Sequence, residues 1–200
     1  ALVREAGGDG AFIRLDVTDA SAWEAAAATI RETQGVLHGL VNNAGEAKNL
    51  PIEDLDEDVP RFLVHLNYGG CRRGMDVLLP LLEAGHGSVV NVASVAGMRA
   101  GFGGSAYGAS KAAVVNLTRY LATAWGPYGV RVNALSPGGV LGAQDPEFQR
   151  KFNDRVPLGR MAEAADLTGP LRFLASDASA YVTGTELRVD GGFTAWEGFP

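Results

Sequence analysis

The chain has 200 residues and a mass of 20.9 kDa, enough for one domain with a sizeable core. Hydrophobic residues make up 46% and charged residues 20%, the balance of an ordinary globular protein. A net charge of −6 argues against non-specific nucleic-acid binding, the single cysteine, Cys71, excludes an internal disulfide, and no apolar run reaches the roughly 18 residues of a membrane span. The expectation is a reducing, cytoplasmic setting without membrane or nucleic-acid partners.

Apolar runs alternate with helical patterns along the chain, which predicts βαβ units and a parallel sheet. Ala11 to Leu15 reads as a strand. Thr18 or Asp19 is placed to cap an alanine-rich helix from Ala20 to Thr33. Leu37 to Val41 is the next strand, running into a turn at Asn42-Asn43-Ala44-Gly45. Pro51 to Pro80 holds two helical segments, with Asn67 near the start of the second. Ser88 to Val92 is a buried strand, Tyr107 to Trp125 a long helix, Gly126 to Gly129 a turn and Val130 to Leu135 another strand. Gln144 to Val156 is polar and reads as a small lid helix. Ala162 to Ala175 is helical, disturbed by Pro170, and Glu186 to Val189 is the last strand. No repeat, linker or low-complexity segment interrupts this order.

Tyr107 and Lys111 fall four residues apart on one helix face. A free phenol titrates near about 10. A neighbouring ammonium favours the phenolate, so the pair predicts a lowered phenol pKa and a usable general acid or base. Such pairs also occur as plain surface pairs worth about a few tenths of a kcal/mol, so their surroundings decide. Ser94 follows the Ser88 to Val92 strand, where open α/β sheets place ligands. Read alone, Ser94 is a turn cap and Asn67 a helix-start residue satisfying backbone groups.

These elements arrive in order: N-N-A-G at Asn42 to Gly45, Asn67, Ser94, Tyr107-x-x-x-Lys111, Pro137-Gly138 and the closing Asp190-Gly191-Gly192. In them the chain resembles the short-chain dehydrogenase/reductase family, the single-domain kind that includes the 3-oxoacyl carrier-protein reductases. The resemblance runs from Ala11 to Trp196. It implies an α/β, Rossmann-like doubly wound parallel sheet. Residues 1–200 would form a single dinucleotide-binding domain, with a small substrate lid at about 139–161. The implied activity is that of an NAD(P)-dependent oxidoreductase moving a hydride between nicotinamide and a ketone or secondary alcohol.

The resemblance also implies roles. Tyr107 would be the proton donor or acceptor, and Lys111 would lower its pKa and bond the nicotinamide ribose. Ser94 would hydrogen-bond the substrate oxygen. Asn67 would hold a water linking Lys111 to solvent. Asp16 and Val17 match the adenine contacts, and Asn42, Asn43, Ala44 and Gly45 match the turn beside the adenosine ribose. Pro137, Gly138 and Val140 match the loop beside the nicotinamide. The family usually carries Thr two residues beyond Val140, where this chain has Gly142. A homodimer or homotetramer packed through the helices after Asn67 and Tyr107 is implied. Arg72 and Arg73 stand there where members are often apolar, with Asp76 in reach of an ion pair.

The chain departs from the family at its start. Members carry T-G-x-x-x-G-x-G between a first strand and helix, and nothing before Ala11 matches it. Gly7 to Gly10 precedes a strand rather than following one. The expectation is an N-terminally incomplete copy lacking the first βαβ portion. The family strand order 3-2-1-4-5-6-7 would then leave Ala11 to Leu15 without its neighbours. NAD and NADP both stay open, because the residue that separates them follows the second strand. Gln144, Phe148, Phe152 and Met161 are placed to line a pocket, although Phe148 and Phe152 read first as the apolar face of a lid helix. His38, His65 and His86 form no metal-ligand pattern. The competing reading is a cofactor-free binding or regulatory module derived from such an enzyme. An epimerase of the extended relatives is disfavoured by the D-G-G ending.

Overall fold

Short runs bearing valine and leucine become strands, and helical repeats fill the gaps between them. The computed structural model describes residues 2–48, 50–100 and 104–197; the remaining residues of the expected 1–200 domain lie outside the described ones. Four strands form one sheet: β1 (Gly39–Asn42), β2 (Ser88–Val92), β3 (Arg131–Pro137) and β4 (Glu186–Val189). They lie in the order β1-β2-β3-β4, all parallel. One row crosses the whole sheet, Asn42 beside Asn91, Asn91 beside Ala134 and Ala134 beside Glu186. The order matches the fourth to seventh strands of the expected topology.

Helices make the crossovers. α1 (Leu2–Glu5) is a single turn, followed by α2 (Ala20–Thr33). α3 (Asp58–Leu63) and α4 (Gly69–Ala84) link β1 to β2, and α5 (Gly104–Trp125) links β2 to β3. α6 (Pro146–Asn153) and α7 (Ala164–Ala175) link β3 to β4. Successive strand residues point to opposite faces, so each strand feeds two cores. Val89 and Val132 pack with Trp23 of α2, Met75 and Leu78 of α4 and Val114 and Leu121 of α5. Val90 and Leu135 face the other way, against Leu171 and Leu174 of α7. The sheet is therefore covered on both faces, which is why β2 is buried along almost its whole length, its polar Ser88 and Asn91 included. No described helix is long and apolar enough to cross a membrane.

Local chemistry sets the ends. Asp19, of the two expected candidates, caps α2 by accepting the Ser21 N–H at 2.8 Å. α7 runs unbroken through Pro170, contrary to the expected disturbance. Its ends are tied down instead: the Asp166 carboxylate accepts the Glu163 N–H at 2.7 Å, and the Leu174 carbonyl accepts from Ser88 Oγ at 2.7 Å and Arg131 at 3.2 Å.

Two segments depart from the sequence reading. Ala11 to Leu15 is irregular rather than a strand, and Phe12 is 91% exposed. A strand needs a ladder partner, and among the described residues β1 pairs only with β2. Leu15 and Val17 still rest against the core, so the segment keeps its packing and not its ladder. Pro51 to Pro80 divides into more pieces than two helices. A short 3₁₀ turn (Ile52–Asp54) precedes α3, and a π-turn (Val64–Tyr68) joins α3 to α4. Asn67 sits in that π-turn, fully buried, rather than at a regular helix start. Such bulges are over-represented at functional sites.

Candidate active site

β2 delivers Val92 to the carboxyl edge of the sheet, and the chain turns at once. Ser94 Oγ accepts the Ala96 N–H at 3.1 Å and so caps the turn Val95–Gly97. The capping reading is therefore realised, and it leaves the hydroxyl proton free. This turn lies against α5 through two bare backbones. A Cβ on Gly97 would come within 2.8 Å of the Ala112 nitrogen, and one on Gly108 within 2.8 Å of the Ala96 carbonyl. Close approach brings Ser94 into hydrogen-bonding reach of the Tyr107 phenol.

Lys111 lies one turn further along α5 and is only 5% exposed. Its Nζ donates to the Val92 carbonyl at 2.8 Å and sits 5.8 Å from the centre of the Tyr107 ring. Burial lowers its pKa. Burial also raises the Tyr107 phenol above its usual value, and the Ser94 hydrogen bond offsets this only in part. The direction is thus the reverse of the expected lowering by Lys111. Desolvation penalises the phenolate, and the ammonium is turned toward Val92.

Asn67 ties the site together from below. Its Oδ1 accepts the Glu46 N–H at 2.9 Å, while Nδ2 donates to the Glu46 carbonyl at 3.0 Å and to Ser110 Oγ at 2.9 Å. Ser110 in turn donates to the Tyr107 carbonyl at 2.8 Å. The side-chain amide of Asn67, the residue expected to hold a relay water, is engaged with protein partners. The side chain fixes the loop after β1 to the helix that carries Tyr107. Ser110 was missed in the sequence, although its position beside Lys111 on the Tyr107 face was a usable signal.

These groups border a cavity of about 600 Å³, in the range of small-molecule sites. Of the expected residues, Asn43, Gly45, Ser94, Tyr107, Lys111, Pro137, Gly138 and Val140 line it. Val17, Asn42, Asn43 and Ala44 line a smaller hollow beside β1. Asn42 Nδ2 donates to Asn91 Oδ1 at 2.8 Å, and Asn91 passes the chain to Thr118 at 3.0 Å. The Asn42 side chain is therefore a buried clasp between strands, each link worth about 1 kcal/mol. Asp16 lies outside both hollows. Its carboxylate accepts from the N–H and hydroxyl of Thr18 at 2.8 and 2.7 Å, which holds its pKa below the usual range.

The opposite wall comes from the segment after β3. Phe148, Phe152 and Met161 line the cavity and pack with Val156 and Phe193. Phe148 and Phe152 are thus both lid face and pocket wall, where the sequence reading favoured the first. At the position expected to hold Thr, Gly142 N–H donates to Gln144 Oε1 at 2.7 Å and Gln144 Nε2 donates to the Val140 carbonyl at 2.9 Å. One carboxamide staples the loop that a threonine was expected to occupy. Arg72 pairs with Asp76 at 3.1 Å on the exposed face of α4. Among the described residues no group of three or more His, Cys, Asp or Glu side chains could hold a metal.

The family described as "Enoyl-(Acyl carrier protein) reductase" matches residues 1–194. A trans-4-hydroxycyclohexanecarboxylate dehydrogenase from Sinomonas cyclohexanicum is 40% identical over 184 residues, spanning 92% of this chain and 71% of that protein. A gluconate 5-dehydrogenase from Burkholderia cenocepacia, solved with NADP and tartrate, superposes with a TM-score of 0.92 at 31% identity, over 98% of this chain and 79% of that one. A short-chain dehydrogenase from Leptospira borgpetersenii with bound NAD⁺ superposes with a TM-score of 0.87 at 32% identity, over 91% of this chain and 74% of that one.

Proposed function

The chain belongs to the short-chain dehydrogenase/reductase family of oxidoreductases, and from that premise we propose that it moves a hydride between NAD or NADP and a ketone or secondary alcohol, with Tyr107 as the proton donor and acceptor. The observation that carries the proposal is the convergence of Ser94, Tyr107 and Lys111 on one cavity from two separate elements. The solved neighbours with NADP and with NAD⁺ support the cofactor class.

When bound, the nicotinamide supplies or accepts the hydride at the carbon that bears the substrate oxygen. Asn43, Gly45, Lys111, Pro137, Gly138 and Val140 would hold its ribose and ring. The fit is good at Gly45, where a Cβ would lie 2.8 Å from Asn67 Oδ1 and 3.4 Å from Lys111 Nζ. Only a bare backbone leaves the space above the lysine open. Val17 and Ala44 would border the adenosine side, with Asp16 and Asn42 holding their turns in shape.

In reduction, Tyr107 Oη gives its proton to the developing alkoxide; in oxidation it takes the alcohol proton. Ser94 hydrogen-bonds the same oxygen and stabilises the charge that forms there. Lys111 supplies the positive charge that favours the phenolate once the substrate draws on it. Asn67 is a positioning residue that fixes Glu46 and, through Ser110, the backbone of Tyr107. Residues 139–161 act as the substrate lid of a single dinucleotide-binding domain. A cytoplasmic homodimer or homotetramer packed through α4 and α5 completes the reading.

The test is to supply the protein with NAD⁺ or NADP⁺ and small secondary alcohols and to follow nicotinamide reduction by absorbance. Reduction of one of the two cofactors is expected. Reduction of neither, with alcohols that bind the cavity, would leave a binding module and overturn the proposal.

A further inference from the structure

The cavity that holds Tyr107 carries a charge pattern that bears on its substrate. Its far wall is Val140, Phe148, Phe152 and Met161. That wall is rigid. Phe152 and Met161 are buried, the Phe152 ring stacks on Phe193 at 5.2 Å and on Phe148 at 6.1 Å, and a Cβ on Gly139 would strike the Phe152 ring at 2.6 Å. The charged side chains on the lining are Glu46, Asp145 and Lys111. Lys111 is the one cation among the described lining residues, and it is already bonded to the Val92 carbonyl.

Three cations of the segment after β3 are paired with carboxylates of their own. Arg160 grips Asp166 with bonds of 2.6 and 2.9 Å, Lys151 pairs with Glu147 at 2.6 Å, and Arg150 pairs with Asp154 at 3.4 Å. A carboxylate or phosphate on the substrate would therefore meet an apolar wall and two like charges. Glu46 and Asp145 are exposed at the cavity's rim, Asp145 also capping α6, and like charge at an entrance disfavours an anion, a repulsion often used for selectivity.

We infer that the site selects neutral, largely apolar ketones and secondary alcohols and rejects anionic ones. This rests on the proposed carbonyl/alcohol reading of the same cavity. It also sets this chain apart from the relative that acts on a hydroxycyclohexanecarboxylate, whose ring bears a carboxylate.

A matched pair of probes tests it: 4-methylcyclohexanone and 4-oxocyclohexanecarboxylate share the ring and the carbonyl and differ in one substituent. Their affinities for the protein are measured by ligand-observed NMR, which needs no turnover. The methyl ketone is expected to bind at least about tenfold more tightly. Equal affinity, preference for the carboxylate, or binding of neither overturns the inference. Glu46→Gln with Asp145→Asn then removes both charges, and Asn caps α6 as well as Asp does. The preference is expected to shrink at least about threefold; an unchanged preference overturns the part assigned to the two carboxylates. Failure of the function reading is separately visible. Loss of nicotinamide reduction with the methyl ketone preference intact sinks the chemistry and spares the substrate class, and the reverse result does the opposite.

Discussion

The two flanks of β2 are built to different standards. On the β2–α5 side each side chain of the site is held by at least one partner. Ser94 is fixed by Ala96, Lys111 by Val92, and Tyr107's backbone by Ser110 and Asn67. On the β1 side, residues 11–17 lie without a ladder, Phe12 stands in solvent, and Val41 on the edge strand is 42% exposed. The difference teaches that strand neighbours, more than local sequence, fix a residue in place. A side chain at the end of a doubly flanked strand inherits its position from the sheet. One beyond an edge depends on its own turn, as Asp16 depends on Thr18.

The largest effect on folding is expected on the well-built side. Asn67→Ala removes three side-chain bonds and strands the Glu46 amide, which should cost about 3 kcal/mol in denaturant unfolding. A loss under about 1 kcal/mol would mean the Glu46 loop is held by something else. Gly108→Val comes next. Its Cβ would overlap the Ala96 carbonyl, so about 2 kcal/mol of stability is expected to go, with a fall in turnover as Ser94 moves from Tyr107. An active, stable variant would show that the turn after β2 is looser than described.

pH sharpens the same contrast. The folded phenol of Tyr107 titrates above its unfolded value of about 10. Its contribution to stability is therefore full below that pH and is lost as pH rises through the folded value. Tyr107→Phe should show a shallower alkaline loss of stability than the parent protein. Identical profiles would place the phenol in water rather than in the cavity. The smallest effect belongs to the edge: Phe12→Ser should change stability by no more than about 0.5 kcal/mol. A large loss would mean that this segment packs in a way its exposure does not show.

Much of this architecture could be read from residues alone, and the failures are instructive. Ser88 to Val92 and Glu186 to Val189 matched their strands residue for residue, because both are short and bounded by turn-forming residues. Ala11 to Leu15 has the same local character and is no strand, since pairing is a property of neighbours. The residues Ser94, Tyr107 and Lys111 were legible from spacing and resemblance. The direction of the Tyr107 pKa was not, because burial and the turn of Lys111 toward Val92 are tertiary facts. Asn67 was singled out by the resemblance, but its partners Glu46 and Ser110 lie far away in the chain. Phe148 and Phe152 served two purposes at once, which helical spacing alone does not reveal.

The central claim is that Tyr107 exchanges the proton in the hydride-transfer reaction. The direct measurement is turnover of a secondary alcohol or ketone by Tyr107→Phe beside the parent protein, with nicotinamide binding measured on both. Loss of turnover by about a hundredfold to ten-thousandfold with cofactor affinity retained is the predicted result. Turnover within a few-fold of the parent would contradict the account and move the proton chemistry to another group.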